Sequence, residues 1–173
     1  ALVMDAKATG RTPRYLDEII RLLPSHLNEK GYMGTIHEGY MHEQQISGNS
    51  WLLRGLCEYY LWSGDKSVLG TIKSISGNLY CAGKGLYADY PIDPAVRASA
   101  GGGAAGNISN IVNGWALSTD IGCVFIGLDG ITQAYEITKD PGLVPIIDEM
   151  IERFLQMDLV GIRAQTHAAL TAC

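Results

Sequence analysis

The amino-acid sequence predicts an all-α fold built from helical hairpins, and three observations indicate this class. Apolar residues recur at intervals of three and four along most of the chain, the spacing that places them on one face of a helix. No segment of comparable length alternates polar and apolar residues as a half-buried strand does. The sequence also repeats itself after a shift of 75 residues, which carries position 53 onto position 128.

Five apolar stripes predict the helices in chain order. The stripes are Tyr15, Leu16, Ile19 and Leu22; then Leu53, Leu56 and Tyr60; then Leu69, Ile72, Ile75 and Leu79; then Ile121, Val124, Leu128, Ile131 and Tyr135; and last Leu143, Ile147, Met150, Phe154 and Met157. Turns are expected at 63–65 and 138–140, where Asp65 and Asp140 would cap the helix that follows. The two hairpins, 51–80 and 121–157, are therefore predicted to be copies of one design.

A third, partial copy opens the chain, with Thr9, Gly10 and Arg11 as its turn. At the other end, residues 163–173 begin a helix with no second helix after it. Each hairpin of a repeat array buries its apolar face against its neighbours. We therefore expect residues 1–173 to be one partial domain, truncated at both ends, with the remainder of the parent chain as its partner.

The region 83–114 is the most irregular part of the sequence. The glycine-rich run at 101–106 lacks the GxxxxGK[ST] pattern and a preceding strand, so it predicts a loop or cleft wall rather than a nucleotide site.

Composition excludes several classes of function. The chain has 173 residues, of which 47% are hydrophobic and 18% charged, as in a globular domain. A net charge of −5 without a basic run argues against nucleic-acid binding, and no apolar run reaches the length of a membrane span. The four cysteines form no CxxC pair and are expected to be reduced. His37 and His42 are five residues apart, which does not place both on one helix face, so no metal site is predicted.

Several short motifs resemble the catalytic domain of one enzyme family when they are taken in order. They are residues 30–35 (KGYMGT), His42-Glu43 ahead of Gly48, the hairpin segment 53–65, and Gln165-Thr166-His167. Together they resemble the (α/α)6-barrel glycoside hydrolases of the beta-L-arabinofuranosidase type (glycoside hydrolase family 127 and relatives). The resemblance implies that the hairpins form part of an (α/α)6 barrel and that the substrate is a carbohydrate.

The resemblance also implies a cysteine nucleophile at a zinc site with a glutamate as acid/base. These groups fall later in the family's domain than the Gln165-Thr166-His167 motif, so none of the four cysteines takes the nucleophile role. Zinc is expected in the full-length enzyme and no cofactor in this segment. The chain departs from the family at Gly48-Asn49, where many members have Gly-His. The compartment stays open; a periplasmic or secreted location would follow from a signal peptide on the parent chain.

Seven residues are the candidate substrate contacts, and the catalytic residues stay unassigned. The candidates are His42, Glu43, Asn49, Trp115, Asp120, Gln165 and His167. His42 and Glu43 are expected in a loop before an inner helix, whereas Asn49 and His167 are expected to begin inner helices. Imidazole, carboxamide and carboxylate groups suit sugar hydroxyls. Trp115 is expected to face the cleft and Trp51 to fill the core.

Competing interpretations remain open for these residues. Glu43 could cap its helix or face solvent, Asp120 could cap the helix that it begins, and His167 could be a buried histidine. The leading function is a glycoside hydrolase segment acting on arabinofuranosyl or related bonds. The alternatives are a non-catalytic helical-repeat binding module and a sugar epimerase on the same barrel. Convergence of the candidates around one concave face would favour the enzyme.

Overall fold

The computed structural model describes residues 1–99 and 111–173, so the expected glycine-rich loop at 101–106 lies outside the described residues. The described part is mainly helical, which confirms the coarse fold class. Its α-helices are α1 (Leu2–Thr9), α2 (Leu16–Leu22), α3 (Glu43–Ser63), α4 (Leu69–Ile75), α5 (Pro94–Ser99), α6 (Gly127–Thr138), α7 (Val144–Leu155) and α8 (Thr166–Ala172). No helix among these is long and apolar enough to cross a membrane.

The three predicted hairpin turns share one hydrogen-bonding pattern. The amides of Gly10, Gly64 and Lys139 donate to the carbonyl four residues back at 2.9, 2.8 and 2.8 Å. All three residues have a positive φ, of 68°, 71° and 52°, which is the left-handed conformation that commonly ends a helix. The turns predicted at 63–65 and 138–140, and the partial copy at 9–11, are confirmed.

Asp65 and Asp140 cap the next helical segment, as predicted. Their carboxylates accept hydrogen bonds from the amides of Ser67 and Gly142, each at 2.8 Å. In both hairpins a short 3-10 turn follows the aspartate before α4 or α7 begins. The same local chemistry therefore builds both turns.

The first helices of successive hairpins lie side by side, in the order α1, α3, α6 and α8, while α4 and α7 pack behind them. The helices α3 and α6 are parallel, because Ile46 lies near Gly127 whereas Arg54 pairs with Asp129 at 2.9 Å. The two helices lie close together at Gly130, where an added Cβ would lie 2.7 to 2.9 Å from atoms of Ser50. A glycine is required there by the approach of the two backbones.

The core lies between these two layers of helices. The predicted stripes supply much of it: Leu53, Leu56, Ile72, Ile75, Ile131, Leu143 and Met150 are all buried. The stripe from Ile121 does not form one continuous helix. Residues Cys123–Ile126 form a 3-10 turn, and α6 begins only at Gly127.

A small sheet corrects the prediction of a purely α-helical chain. Its strands are β1 (Met41–His42), β2 (Ile111–Val112) and β3 (Trp115–Ala116), with β3 in the centre, parallel to β1 and antiparallel to β2. Each strand has two residues, too few for period-two alternation to be visible in the sequence. The sheet holds the chain before α3 against the segment that follows residue 110.

Candidate functional site

The first turns of α3 form one wall of a surface groove of about 580 Å³. Its lining residues are Met33, Gly34, Thr35, His37, His42, Gln44, Gln45, Gly48 and Asn49. Two of the seven candidates, His42 and Asn49, are among them. Gly48 faces open space, with no atom within 4 Å of an added Cβ, so the helix backbone itself is accessible in the groove.

The opposite wall is a loop that two amide side chains hold against α3. Asn49 accepts from the Met33 amide at 3.0 Å and donates to the Met33 and Gln45 carbonyls at 3.0 and 2.9 Å. Gln45 donates to the carbonyls of Met33 and Thr35 at 3.2 and 2.8 Å. Asn49 is buried and uses both atoms of its amide within the protein. It therefore shapes the groove, and the prediction that it begins an inner helix is wrong, since α3 begins at Glu43.

His42 presents an imidazole edge to the groove from the residue before α3. Its ring stacks on that of His37 with 5.5 Å between centroids, and His37 Nδ1 is 2.9 Å from the Tyr40 hydroxyl. The Nδ1 atom of His42 is buried and has no hydrogen-bond partner in the described part of the chain. An unpaired lone pair costs less there than an unpaired N–H, so the neutral ring carries its proton on Nε2. Burial lowers the pKa of His42, and the charge of His37 lowers it further.

Three further candidates lie beside the same face of α3. Gln44 donates to the Asp120 carboxylate at 3.3 Å, so Asp120 borders the groove and does not use its side chain to cap the following 3-10 turn. The amide of Gln165 donates to the Ile121 carbonyl at 2.9 Å, which places the start of α8 next to Asp120. The exposed ring of His167 is 5.8 Å from the ring of Trp51, so the alternative of a buried histidine is wrong.

Glu43 does not face this groove. Its side chain is fully buried and accepts hydrogen bonds from the Tyr90 hydroxyl at 2.5 Å, from Arg97 at 3.2 and 3.4 Å, and from the Ser118 amide. Arg97 is also buried and donates to the Ser118 carbonyl at 3.0 Å. The prediction of Glu43 as a loop residue that contacts substrate is therefore wrong in this structure, and so are the solvent-facing and capping alternatives.

The buried cluster of Glu43, Tyr90, Arg97 and Ser118 instead fixes the irregular region to α3. The Gly122 amide extends the cluster by donating to the Tyr90 hydroxyl at 3.2 Å. Cys123 lies next to it, and burial, with the Glu43 charge as the next cause, raises the pKa of the Cys123 thiol. All four cysteines are free, and Cys57 and Cys123 are buried.

The two tryptophans have exchanged their expected positions. Trp115 is 0% exposed, donates from Nε1 to the Leu86 carbonyl at 2.7 Å, and packs between Tyr87 and Tyr90 at 5.4 Å from each ring. Trp51 is 52% exposed. The prediction of a cleft-facing Trp115 and a core Trp51 is wrong, because a strand residue in the middle of the sheet is covered from both sides and a residue on the open face of α3 is not.

Three groups at the site were not among the seven candidates: His37, Gln44 and Trp51. A sequence signal existed for two of them, since Gln44, Gly48 and Trp51 follow a four-and-three spacing that places them on one helix face. Within residues 1–99 and 111–173, no group of three or more His, Cys, Asp and Glu side chains is arranged to hold a metal ion.

The chain was compared with protein-family models, curated proteins and solved structures, and none of the three comparisons produced a match.

Proposed function

We propose that residues 1–173 supply a sugar-binding face to an (α/α)6-barrel glycoside hydrolase of the beta-L-arabinofuranosidase type. The sugar would lie along the open face of α3, from Gln44 over Gly48 to Trp51. His42, Asp120 and Gln165 border the near end of this face, and His167 borders the far end beside Trp51. The order of α1, α3, α6 and α8 along the row is the one expected for successive inner helices of such a barrel.

The observation that carries the proposal is the exposed Trp51 ring beside His167, about one helical turn after Gly48 of the polar groove. A sugar offers an apolar face of C–H groups and a rim of hydroxyls, so it matches an aromatic surface flanked by amide and imidazole groups. In the groove, Gln44 and the Nε2–H of His42 supply the polar contacts.

The proposal assigns binding to this chain and leaves the catalytic groups unassigned. Hydrolysis needs a positioned acid together with a nucleophile or base. Glu43 is inaccessible and already pairs with Arg97, and Asp120 is the one remaining carboxylate among the seven candidates. By the resemblance, the nucleophile, the acid/base glutamate and the zinc belong to the parent enzyme outside these residues.

The test is a calorimetric titration of the chain with methyl beta-L-arabinofuranoside. His167→Ala should weaken binding by about 0.5–1.5 kcal/mol, or up to about tenfold, which is the loss of one exposed hydrogen-bonding group. His26→Ala is the matched control, because His26 is an exposed histidine on the turn after α2 and away from the groove. Equal affinities in both variants would contradict the proposed site.

Turnover gives a second readout. We expect the chain to hydrolyse an aryl arabinofuranoside no faster than its His167→Ala variant does. Turnover that disappears in Glu43→Gln, with the fold intact, would place the catalytic carboxylate inside these residues. If neither arabinofuranosides nor other monosaccharide glycosides bind, a helical-repeat binding module becomes the better interpretation.

A further inference from the structure

A second groove, of about 570 Å³, lies on α3 beyond Trp51. It is mainly apolar, and its walls include Leu2 and Met4 of α1, Ile19 of α2, and Trp51 and Gly55 of α3. Its border carries two ion pairs, Lys7 with Glu58 and Arg54 with Asp129. An exposed apolar surface of this kind on a helical protein indicates a binding partner.

The internal repeat identifies what this groove is shaped to hold. Shifting by 75 residues carries Gly55 of α3 onto Gly130 of α6. Gly130 is the point where α3 lies against α6, since an added Cβ would be 2.7 Å from the Ser50 hydroxyl oxygen. The Ser50 hydroxyl also donates to the Ile126 carbonyl at 2.6 Å. At Gly55 an added Cβ would meet no atom within 4 Å, so the equivalent position on α3 is open.

The second helices of the hairpins show the same difference. On α2 and the turn after it the buried apolar residues are Leu16 and Leu23, at 4% and 8% exposed, whereas Ile19 and Leu22 lie beside them. Ile72 and Ile75 are 0% exposed, whereas Ile19 is 49% and Leu22 is 37% exposed. The α4 residues are covered because α4 packs on the long helices α3 and α6. The helices α1 and α2 line the groove together, and Ile19 is one of its wall residues.

We infer that the groove binds an α-helix that runs parallel to α3. This helix would contact α3 in the same way that α3 contacts α6. The occupant is collinear with α1 and amphipathic. It has a small residue, serine or alanine, opposite Gly55, because only a small side chain lets two backbones approach at a glycine. An apolar residue one turn from that contact would cover Ile19, which is 49% exposed. This inference does not depend on whether the polar groove binds a sugar.

The experiment lengthens α1 with the segment that makes the equivalent contact. Residues 44–54 are copied immediately before Ala1, in the register given by the equivalence of Gly10 and Gly64. Ser50 of the copied segment then meets Gly55. The helix content and the free energy of unfolding are measured with and without the extension, and hydrogen exchange is followed at residues 19–23.

We expect the extension to raise the folding equilibrium constant at least tenfold, to add helical signal, and to slow exchange at residues 19–23. Gly55→Leu should remove these gains, because its side chain fills the contact. The variant itself should fold, since nothing lies within 4 Å of the new Cβ and leucine favours a helix over glycine. Gly70→Leu is the matched control, an exposed glycine of α4 with equally open space, and should retain the gains.

Three results would overturn the inference. The first is that the extension raises neither the helix content nor the free energy of unfolding. The second is that both increases persist in the extended Gly55→Leu variant. The third is that the unextended chain dimerises in sedimentation experiments and that Gly55→Leu abolishes this dimer. A second copy of the chain would then be the occupant of the groove. None of these measurements involves a sugar, so failure of the helix to dock is distinguishable from failure of the sugar to bind.

Discussion

Replacement of Glu43 by glutamine tests whether the buried cluster holds the irregular region to α3. The carboxylate accepts from three groups, the Tyr90 hydroxyl, the Arg97 guanidinium and the Ser118 amide, and it is fully buried. The glutamine keeps the shape and one acceptor oxygen. It leaves the buried guanidinium without its counter-charge and brings an NH₂ group against other donors.

The expected cost is about 3 kcal/mol, at the lower end of the roughly 3–5 kcal/mol for breaking a buried ion pair. The lower end applies because Arg97 keeps its hydrogen bond to the Ser118 carbonyl at 3.0 Å. With a slope of roughly 1–3 kcal/mol/M in urea, the midpoint of unfolding followed by circular dichroism should fall by about 1–3 M.

The control for this prediction is Glu136→Gln, which breaks the exposed Lys139–Glu136 pair by the same substitution. An exposed ion pair contributes about 0–1 kcal/mol, so this midpoint should hardly move. The double variant Glu43→Leu/Arg97→Met should recover most of the loss, since replacing both charges leaves no unpaired ion. A Glu43→Gln midpoint equal to that of Glu136→Gln would refute the reasoning.

Two further predictions concern helix packing and pH. Gly130→Ala should destabilise the chain by about 1–3 kcal/mol, because the new Cβ would meet the Ser50 backbone. The control Gly70→Ala should be neutral or stabilising by up to about 1 kcal/mol. Urea unfolding measures both variants, and equal effects would contradict the close approach of the two helices at Gly130. The lowered pKa of His42 means that the unfolded chain binds a proton more readily than the folded chain. The stability contribution of His42 is therefore present above its unfolded pKa of about 6.5 and is lost as the pH falls through the lower folded value. His42→Asn should therefore reduce the loss of unfolding free energy as the pH falls below that value, more than the exposed-site control His26→Asn does. Identical profiles for the two variants would contradict a pKa of His42 lowered by burial.

The sequence predicted the helical hairpins because the features that build them are local. The turn at Gly64 and the caps at Asp65 and Asp140 each involve hydrogen bonds across two to four residues. Repetition of the same pattern at Gly10 and Lys139 made the prediction stronger, since three independent copies agree. The two-residue strands escaped notice because they are shorter than one period of alternation.

The candidate site was predicted only in part. His42, Asp120, Gln165 and His167 do lie beside one face of α3. The family resemblance pointed to His42, Gln165 and His167, whereas Asp120 was chosen as a candidate carboxylate. Gln44 and Trp51 share their helix face and were passed over, because helical spacing shows which residues share a face and not whether that face is covered.

By itself, the sequence determined which residues form helices, where the hairpins turn and which faces are apolar, since these depend on neighbours within about one helical turn. Only the tertiary structure decided that Glu43 and Trp115 are buried and that Trp51 is open. Glu43 meets partners 47, 54 and 75 residues away in the chain. Burial is a property of such distant contacts, and a single sequence carries no local signal of which residues will make them.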